Sequence, residues 1–513
     1  MMQQSPGISD KSRRIARNTV LLYVRMTVML LVGLYTSRVV LNALGQDDYG
    51  TYGAVGGVVA LFSVLTMAVA SAISRFMAVE LGKARQRMQD VFSTTVFVQF
   101  VLALGIFVLA EAAGIWFLNT QMSVPDGRME AANWVLQCAI GVFVVNMLAV
   151  PYNAAIIAHE KMEAFAYISI AEALLALGAA LATRFASTDK LKLYAVLMLA
   201  VALVVRMLYG AYARRHFPEC RFRRSCVNRP LIREMGSFAG WTFLGNGASV
   251  LNAQGINILF NLFFGVRVNA ARDVTVKLEG NVTRFINNIT TAINPQINKS
   301  FAAGNTEYLH ELTCKGAKYS YFLYFFFALP IILETPELLR LWLGMVPEHT
   351  VEFVRIAMLY SLCVAVGTPF VTAVFATGKV KVYEIVASAT NVLAFPLSWL
   401  AFKLGGRPEM AYWFLAGTAF AVLLERVGFA CAQTGLRPGK IVRDTLLPIL
   451  LVSVPAVAAP LALFLLLPPD TLRTLAVVLV SFLSTAACAF FLGTTPGEKS
   501  AVIQAVKSRF LKR

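Results

Sequence analysis

The sequence predicts an all-α, polytopic membrane protein with about fourteen transmembrane helices. Three observations carry this reading. Of 513 residues, 58% are hydrophobic and 14% charged, where a soluble domain carries about 25% charged residues. The apolar residues come in blocks of 18 to 28, separated by short polar segments. A bilayer-crossing helix needs about 20 such residues, whereas barrel strands would be about 10 residues long and alternating. The third observation is that Lys and Arg concentrate in alternate loops, as orientation in a membrane requires.

In order, the spans fall at 18–42, 50–73, 91–118, 131–157, 164–184, 193–213, 236–263, 272–296, 317–335, 351–377, 381–402, 409–431, 446–468 and 473–493. With the N-terminus inside, the inner segments are 1–17, 74–90, 158–163, 214–235, 297–316, 378–380, 432–445 and 494–513. These and their immediate flanks hold 29 of the 46 Lys and Arg; the outer loops hold nine and the spans eight. Both termini are therefore expected in the cytoplasm. The net charge of +18 reflects orientation, not nucleic-acid binding.

The first span carries Arg25 and Arg38. Arg25 lies roughly 10 Å into the helix at 1.5 Å per residue, and a central arginine costs about 2.5–3.5 kcal/mol on insertion scales. Arg38, near the outer end, can snorkel to the interface, as can Arg206 at the inner end of the sixth span. Arg75 opens an inner loop. Glu111 and Glu172 lie within spans and can bind a proton or Na⁺, or serve as interfacial acids. Pro151 and Pro295 fall inside helices, where proline kinks the chain and frees carbonyls.

The eighth span, RDVTVKLEGNVTRFINNITTAINPQ (272–296), is the anomaly. Periodicity alone would not identify it. If it did not cross, every later loop would change sides, and the Arg437–Arg443 loop and the lysine-rich tail would lie outside. The charge distribution thus supports a crossing. Asp273, Lys277 and Arg284 follow i, i+4, i+11 spacing and share a stripe; Arg272 and Glu279 lie seven apart on a neighbouring one. Val274, Val282, Phe285, Ile286, Ile289 and Ile293 supply the apolar side. Polar residues at membrane depth must face protein or water, so a water-filled cavity is expected. Its surplus is cationic, with three bases against two acids on this span and Arg25 and Arg38 in addition. Such a cavity holds anions, phosphates above all, because guanidinium makes forked hydrogen bonds.

The expected organisation is an N-terminal lobe (1–213, six helices), a basic cytoplasmic linker (214–235), a C-terminal lobe (236–431, six helices), two appended helices (432–493) and a tail (494–513). The linker holds Arg214, Arg215, Arg221, Arg223, Arg224, Arg229 and Arg233. A weak internal echo at an offset of 220 aligns Gly45 with Gly265 and Ala72–Ile73 with Ala292–Ile293; Gly82 and Gly304 occupy corresponding inner loops. Duplicated halves are a known route to alternating access. The tail, EKSAVIQAVKSRFLKR, reads as an amphipathic helix on the inner leaflet.

Other chemistry finds no footing. The seven cysteines read as ordinary thiols; Cys220 and Cys226 share a loop but lack metal spacing. His159, His216, His310 and His349 fall at or near loops, and no metal site is expected. The first apolar stretch is too long for a cleavable signal. There is no nucleotide-binding loop and no paired-carboxylate site on a sizeable soluble domain, which favours a carrier over an enzyme.

NTVLLYVRMTVMLLVGLYTSRVVLNALGQDDYGTYGAVGGVV (18–59) resembles the opening of Wzx-type polysaccharide flippases, and FINNITTAINPQINKSFAAGN (285–305) resembles their eighth-helix region. These belong to the multidrug/oligosaccharidyl-lipid/polysaccharide exporter superfamily. The resemblance covers the whole chain, with those two stretches its specific part. It implies two six-helix lobes around a V-shaped cavity in the bacterial inner membrane. It also implies movement of undecaprenyl-diphosphate-linked oligosaccharide from the cytoplasmic to the periplasmic leaflet. By position it implies binding roles for Arg25, Arg38, Arg272, Lys277 and Arg284. Asp273, Glu279 and Asn288 join them as cavity candidates, with Asn281, Asn287 and Thr290 suited to sugar hydroxyls. No cofactor is expected beyond a coupling H⁺ or Na⁺ at Glu111 or Glu172. The expected partners are the lipid-linked oligosaccharide, membrane lipids and other polysaccharide-assembly proteins. The alternatives are a cation-coupled multidrug antiporter of the same superfamily, whose cationic cargo would suit an acidic cavity, and a membrane scaffold or glycan-assembly enzyme.

Overall fold

A computed structural model describes residues 8–500, apart from 64–65, 67–68, 71–72, 74–75, 78–79, 81–86 and 160; within helices, the side chains of 8–24, 158, 162, 237–249, 251, 285–292, 295, 299 and 302 also fall outside the description. Arg75, Gly82, the side chains of Asn287, Asn288, Thr290 and Pro295, and the tail beyond residue 500 therefore lie outside it. Among the described residues the chain is helical and has no strand. Among the described residues eleven helices are long and apolar enough to cross a membrane, so the all-α membrane architecture read from composition is the one adopted. Two compact units form: Met1–Ala270 with Trp342–Pro347, and Ala271–Leu341 with Glu348–Arg513.

The first unit contains α1 (Ile8–Ala60), α2 (Met88–Thr120), α3 (Met129–Ala158), α4 (Met162–Phe185), α5 (Lys190–His216) and α6 (Arg229–Phe264). α1 packs against α4, α3 against α5, and α2 against α3. The loop expected at 43–49 is absent. Helix runs to Gly45, breaks there at φ 79°, ψ 176°, and resumes at once. That backbone region is essentially open to glycine alone, so one residue does the work of a loop. The same device recurs 220 residues later. Gly265, at φ 78°, ψ −176°, separates α6 from α7 (Val266–Ala302). The expected loop 264–271 thus shrinks to one glycine, and the eighth helix starts six residues before Arg272. The sequence echo is a conformational repeat. Asp47 and Arg267, also 220 apart, form an ion pair at 2.7 Å. Gly50 lies so close to α7 that a Cβ there would come within 1.9 Å of the Val266 carbonyl oxygen.

Polar clamps close both ends of this unit. Arg128 donates to both oxygens of Asp48, at 2.8 and 2.6 Å, and to both of Asp189, at 2.9 and 3.1 Å. Asp189 also caps α5 by accepting the Leu191 and Lys192 N–H groups. Burial works to raise the Asp189 carboxyl, but the hydrogen bonds from Arg128 and from the Lys192 and Leu191 N–H groups hold it below the usual carboxylate range. At the other end, the basic linker is pinned to the start of α2. Arg223 N–H donates to Ser93 Oγ at 3.2 Å and Asn228 N–H to Thr94 Oγ1 at 3.0 Å. His159 sits between the Ala155 carbonyl (3.1 Å) and Glu219 (2.8 Å). Cys220 is buried, which pushes its thiol up to about 12, in keeping with an inert thiol. All seven linker arginines remain exposed.

The second unit holds α7 from Ala271 onward, α8 (Thr306–Leu333), α10 (Thr350–Ala376), α11 (Lys381–Val392), α12 (Ala394–Lys403), α13 (Glu409–Thr434), the short α14 (Pro438–Ile441) with a π-turn at Val442–Leu446, α15 (Leu447–Leu466) and α16 (Thr471–Phe491); α9 (Thr335–Leu343) follows α8. α10 is central, packed against α13 and α8. The inner loop expected at 297–316 contracts to Ala303, Gly304 and Asn305. Gly304 takes φ 70°, and the Asn305 side chain caps α8 by accepting the Tyr308 N–H at 3.1 Å. His310 is accordingly helical rather than in a loop, bonded to the Thr434 carbonyl at 2.9 Å. Fully buried Glu334 pairs with Arg473 at 2.9 Å. After α16, the sequence TPGE forms a capping box with proline at the first helical position. Glu498 accepts the Thr495 N–H at 2.8 Å and also meets Lys318 at 3.2 Å and Lys315 at 3.3 Å.

Candidate functional site

The polar face of α7, the helix expected as the eighth span, concentrates the charge that the sequence singled out. Only glycine precedes the helix and no described residue interrupts it, so the charged side chains hold helical register along 37 residues. Lys277 and Arg284 are exposed; Arg272, Asp273 and Glu279 are half-buried; Val274, Thr275 and Val282 are buried. The expected stripes interact. Asp273 lies in the field of Arg272 and Lys277, and Glu279 in that of Arg272. Glu279 Oε1 accepts a hydrogen bond from Ser361 Oγ of α10 at 2.7 Å. Tyr412 of α13 lies close enough to Arg272, Glu279 and Asp273 to feel all three charges. Tyr360 joins Glu279 and Arg426 in the same way. Further along, Thr372 Oγ1 donates to Asn294 Oδ1 at 2.9 Å. Arg284 Nη1 reaches Asn281 Oδ1 at 3.4 Å. Much of the polar face of α7 thus meets helix rather than lipid, as a charged helix at membrane depth must.

Sequence reading missed most of the residues that receive this face. Ser361, Tyr360 and Tyr412 sit in apolar spans with nothing in their local pattern to mark them. Arg426 carried a signal, a base inside a span, and it donates from Nε to the Tyr383 hydroxyl at 3.1 Å. Glu425, beside it, accepts from Thr390 Oγ1.

In the first unit, two expected residues come together. The Arg25 guanidinium lies 4.4 Å from the Phe165 ring centroid and interacts electrostatically with Glu172 and Tyr209. Tyr209 in turn bonds Ser169 at 3.4 Å. A base and an acid, each costly alone in a membrane, thereby share one aromatic-lined site. Glu111 is elsewhere: its Oε2 accepts from Gln137 Nε2 at 2.7 Å between α2 and α3. Arg38 is exposed, and Asn42 Nδ2 donates to its carbonyl at 2.8 Å. Arg206 stacks over Tyr152 at 4.1 Å, with Arg214 at 3.3 Å from the same hydroxyl. Among the described residues no group of three or more His, Cys, Asp and Glu is placed to hold a metal ion.

Guanidinium and ammonium groups backed by helix, with hydroxyls and amides between them, can take up an anionic and hydroxyl-rich molecule. Comparison with known proteins bears on the fold and the family. The inward-closed lipid II flippase MurJ superposes with a TM-score of 0.68 at 11% identity, over 92% of this chain and 98% of that one. An inward-facing multidrug-resistance MATE transporter of the MOP superfamily superposes with a TM-score of 0.59 at 13% identity, over 83% and 98%. The fold is therefore one that these two structures share. Residues 15–301, more than half of the chain, match the family described as polysaccharide biosynthesis protein, and the chain belongs to that family. An uncharacterized membrane protein of Bacillus subtilis (strain 168), EpsK, is 18% identical over 308 residues, 60% of this chain. The match likewise spans 60% of that curated relative's length. The protein is thus a multi-span helical membrane protein of the polysaccharide biosynthesis family, with a fold shared by solved transporters.

Proposed function

We propose that the protein is a flippase that moves undecaprenyl-diphosphate-linked oligosaccharide from the cytoplasmic to the periplasmic leaflet, for O-antigen, capsule or exopolysaccharide assembly. The observation that carries this is the basic face of α7 in a chain of the polysaccharide biosynthesis family. Three bases stand against two acids over residues 272–296, and a lipid diphosphate supplies the anion such a face favours. Arg25, Arg38, Arg272, Lys277 and Arg284 would supply the positive charge that holds the diphosphate. Asp273 and Glu279 would orient those bases, and Asn281 and Asn288 would meet sugar hydroxyls. The lipid tail would stay in the bilayer while the two lobes alternate access to either side. Other polysaccharide-assembly proteins would supply and receive the cargo. Cationic drugs, the cargo of an antiporter, would be repelled by the same surplus.

The electrostatic interaction of Arg25 with Glu172 supports a way to couple transport to H⁺ or Na⁺. A cation taken up at Glu172 would weaken its hold on Arg25 and free the guanidinium for the diphosphate. Glu111 is the second coupling candidate. Delivery of lipid-linked oligosaccharide to the outer leaflet tests the reading in cells expressing Arg25→Ala or Arg284→Ala at equal protein level. Both variants should cut delivery several-fold; normal delivery in both would overturn the cationic-cavity account.

A further inference from the structure

We infer that the second unit carries a saccharide-binding site distinct from the α7 face, in the pocket between the N-terminal ends of α10 and α13. The pocket is an open depression of about 580 Å³ lined by Glu348, His349, Glu352, Arg407, Glu409, Met410 and Trp413. That is within the range of small-molecule sites, roughly 300–1,000 Å³. The charge distribution places this end of the helices outside, where an emerging glycan would first meet water.

The lining has the chemistry of sugar recognition. Trp413 presents a large flat apolar surface, 56% exposed, against which the C–H face of a pyranose can stack. Around it stand carboxylates that accept from hydroxyls and a guanidinium that donates to ring and hydroxyl oxygens. Arg407 is exposed, as are Glu348 and Glu352. The polar groups are held in place. His349 donates or accepts through Nδ1 to Glu409 Oε1, and it takes φ 64°, the left-handed region that side chains other than glycine rarely enter. Behind it the His349, Phe353 and Tyr412 rings stack in sequence at 6.1 and 4.5 Å. Acids in the first turn of a helix are explained by the helix dipole, which accounts for Glu352 and Glu409. It does not account for Arg407, for the strained His349, or for an exposed tryptophan in the same cavity. Trp413, one turn into α13, also suits the interfacial aromatic belt; the charged neighbours are what set it apart.

The choice of saccharide as ligand rests on the transport reading above, so the test separates the two. The full-length protein in nanodiscs would be titrated with the oligosaccharide freed from its lipid diphosphate by mild acid, and binding read by saturation-transfer NMR. Calcium ion would be titrated in parallel. Saturable saccharide binding is expected in the wild type and in Trp413→Phe. It should weaken about tenfold or more in Trp413→Ala and in Arg407→Gln, and calcium should not compete. No saccharide binding to the wild type would overturn the site, as would wild-type binding in both Trp413→Ala and Arg407→Gln. Calcium binding that Glu352→Gln abolishes, without any saccharide signal, would make it a cation site instead. If Trp413→Ala fails to fold, Trp413→Phe and Arg407→Gln decide. Leaflet delivery of the lipid-linked oligosaccharide, measured alongside, keeps the readings apart. Intact delivery without pocket binding refutes only this site, and absence of delivery by the wild type refutes the transport reading.

Discussion

Replacing Gly45 by alanine should destabilise the protein although there is room for the methyl group. No heavy atom lies within 4 Å of a Cβ built at Gly45, so sterics from neighbours contribute nothing. The cost lies in the backbone, because φ 79° with ψ 176° is closed to side-chain-bearing residues. Holding an alanine there costs about 1–3 kcal/mol. Gly33 supplies the internal reference. It is also in α1, also has open space, and is helical; alanine there should stabilise by up to about 1 kcal/mol through helix propensity. The two identical chemical changes should therefore move stability in opposite directions, by a difference of about 1–4 kcal/mol. Gly265, in the matching conformation, should behave as Gly45 does. Thermal melts of the purified variants in one detergent provide the assay. The order expected is Gly33→Ala at or above wild type, with Gly45→Ala and Gly265→Ala both below it. Equal melting midpoints for Gly33→Ala and Gly45→Ala would refute the argument that these glycines are conformational hinges.

Three further outcomes follow from the clamps. Arg473→Met should destabilise by about 3–5 kcal/mol because it leaves Glu334 charged and buried, while Glu334→Leu with Arg473→Met should recover much of that loss; melting of the two variants checks it. Glu498→Gln should free the start of the tail helix, seen as faster hydrogen exchange at the Thr495 amide. Burial works to raise the Glu498 carboxyl, but the Thr495 N–H, Lys318 and Tyr319 draw it down from 4.5 to about 2. Its contribution is therefore complete above about 4.5 and lost as pH falls toward about 2, which exchange measured across that window would show. Asp189 has the same sign, so its arm of the Arg128 clamp should contribute fully above the usual carboxylate range and fade in stronger acid. Arg128→Gln should flatten that acid limb of the stability profile, and an unchanged limb would show that Asp189 is held by α5 alone.

The fold was legible where composition speaks. Long apolar blocks gave the spans, and the sidedness of Lys and Arg identified the α7 segment as a helix that periodicity would have missed. Loop lengths were not legible. A polar stretch such as 43–49 looks like a loop, yet one glycine in a rare conformation turns the helix, and the polar residues either side stay helical. The inner segment 297–316 shows the same limit, since Asn305 caps a helix whose first turns are polar. In the site, charges on α7 and α1 announce themselves by their cost in a membrane. Their partners do not. Ser361, Tyr360 and Tyr412 are unremarkable in their own spans and acquire meaning only when α10 and α13 pack beside α7. The Arg25–Glu172 contact is of the same kind, because two residues 147 apart share no local pattern.

The most direct test of the transport account is the leaflet distribution of lipid-linked oligosaccharide after depletion of this protein in its native cell. Accumulation on the cytoplasmic side, reversed by the wild type and not by Arg284→Ala at equal level, is the result the account predicts. Normal periplasmic delivery in depleted cells, with no other flippase able to replace it, would contradict it.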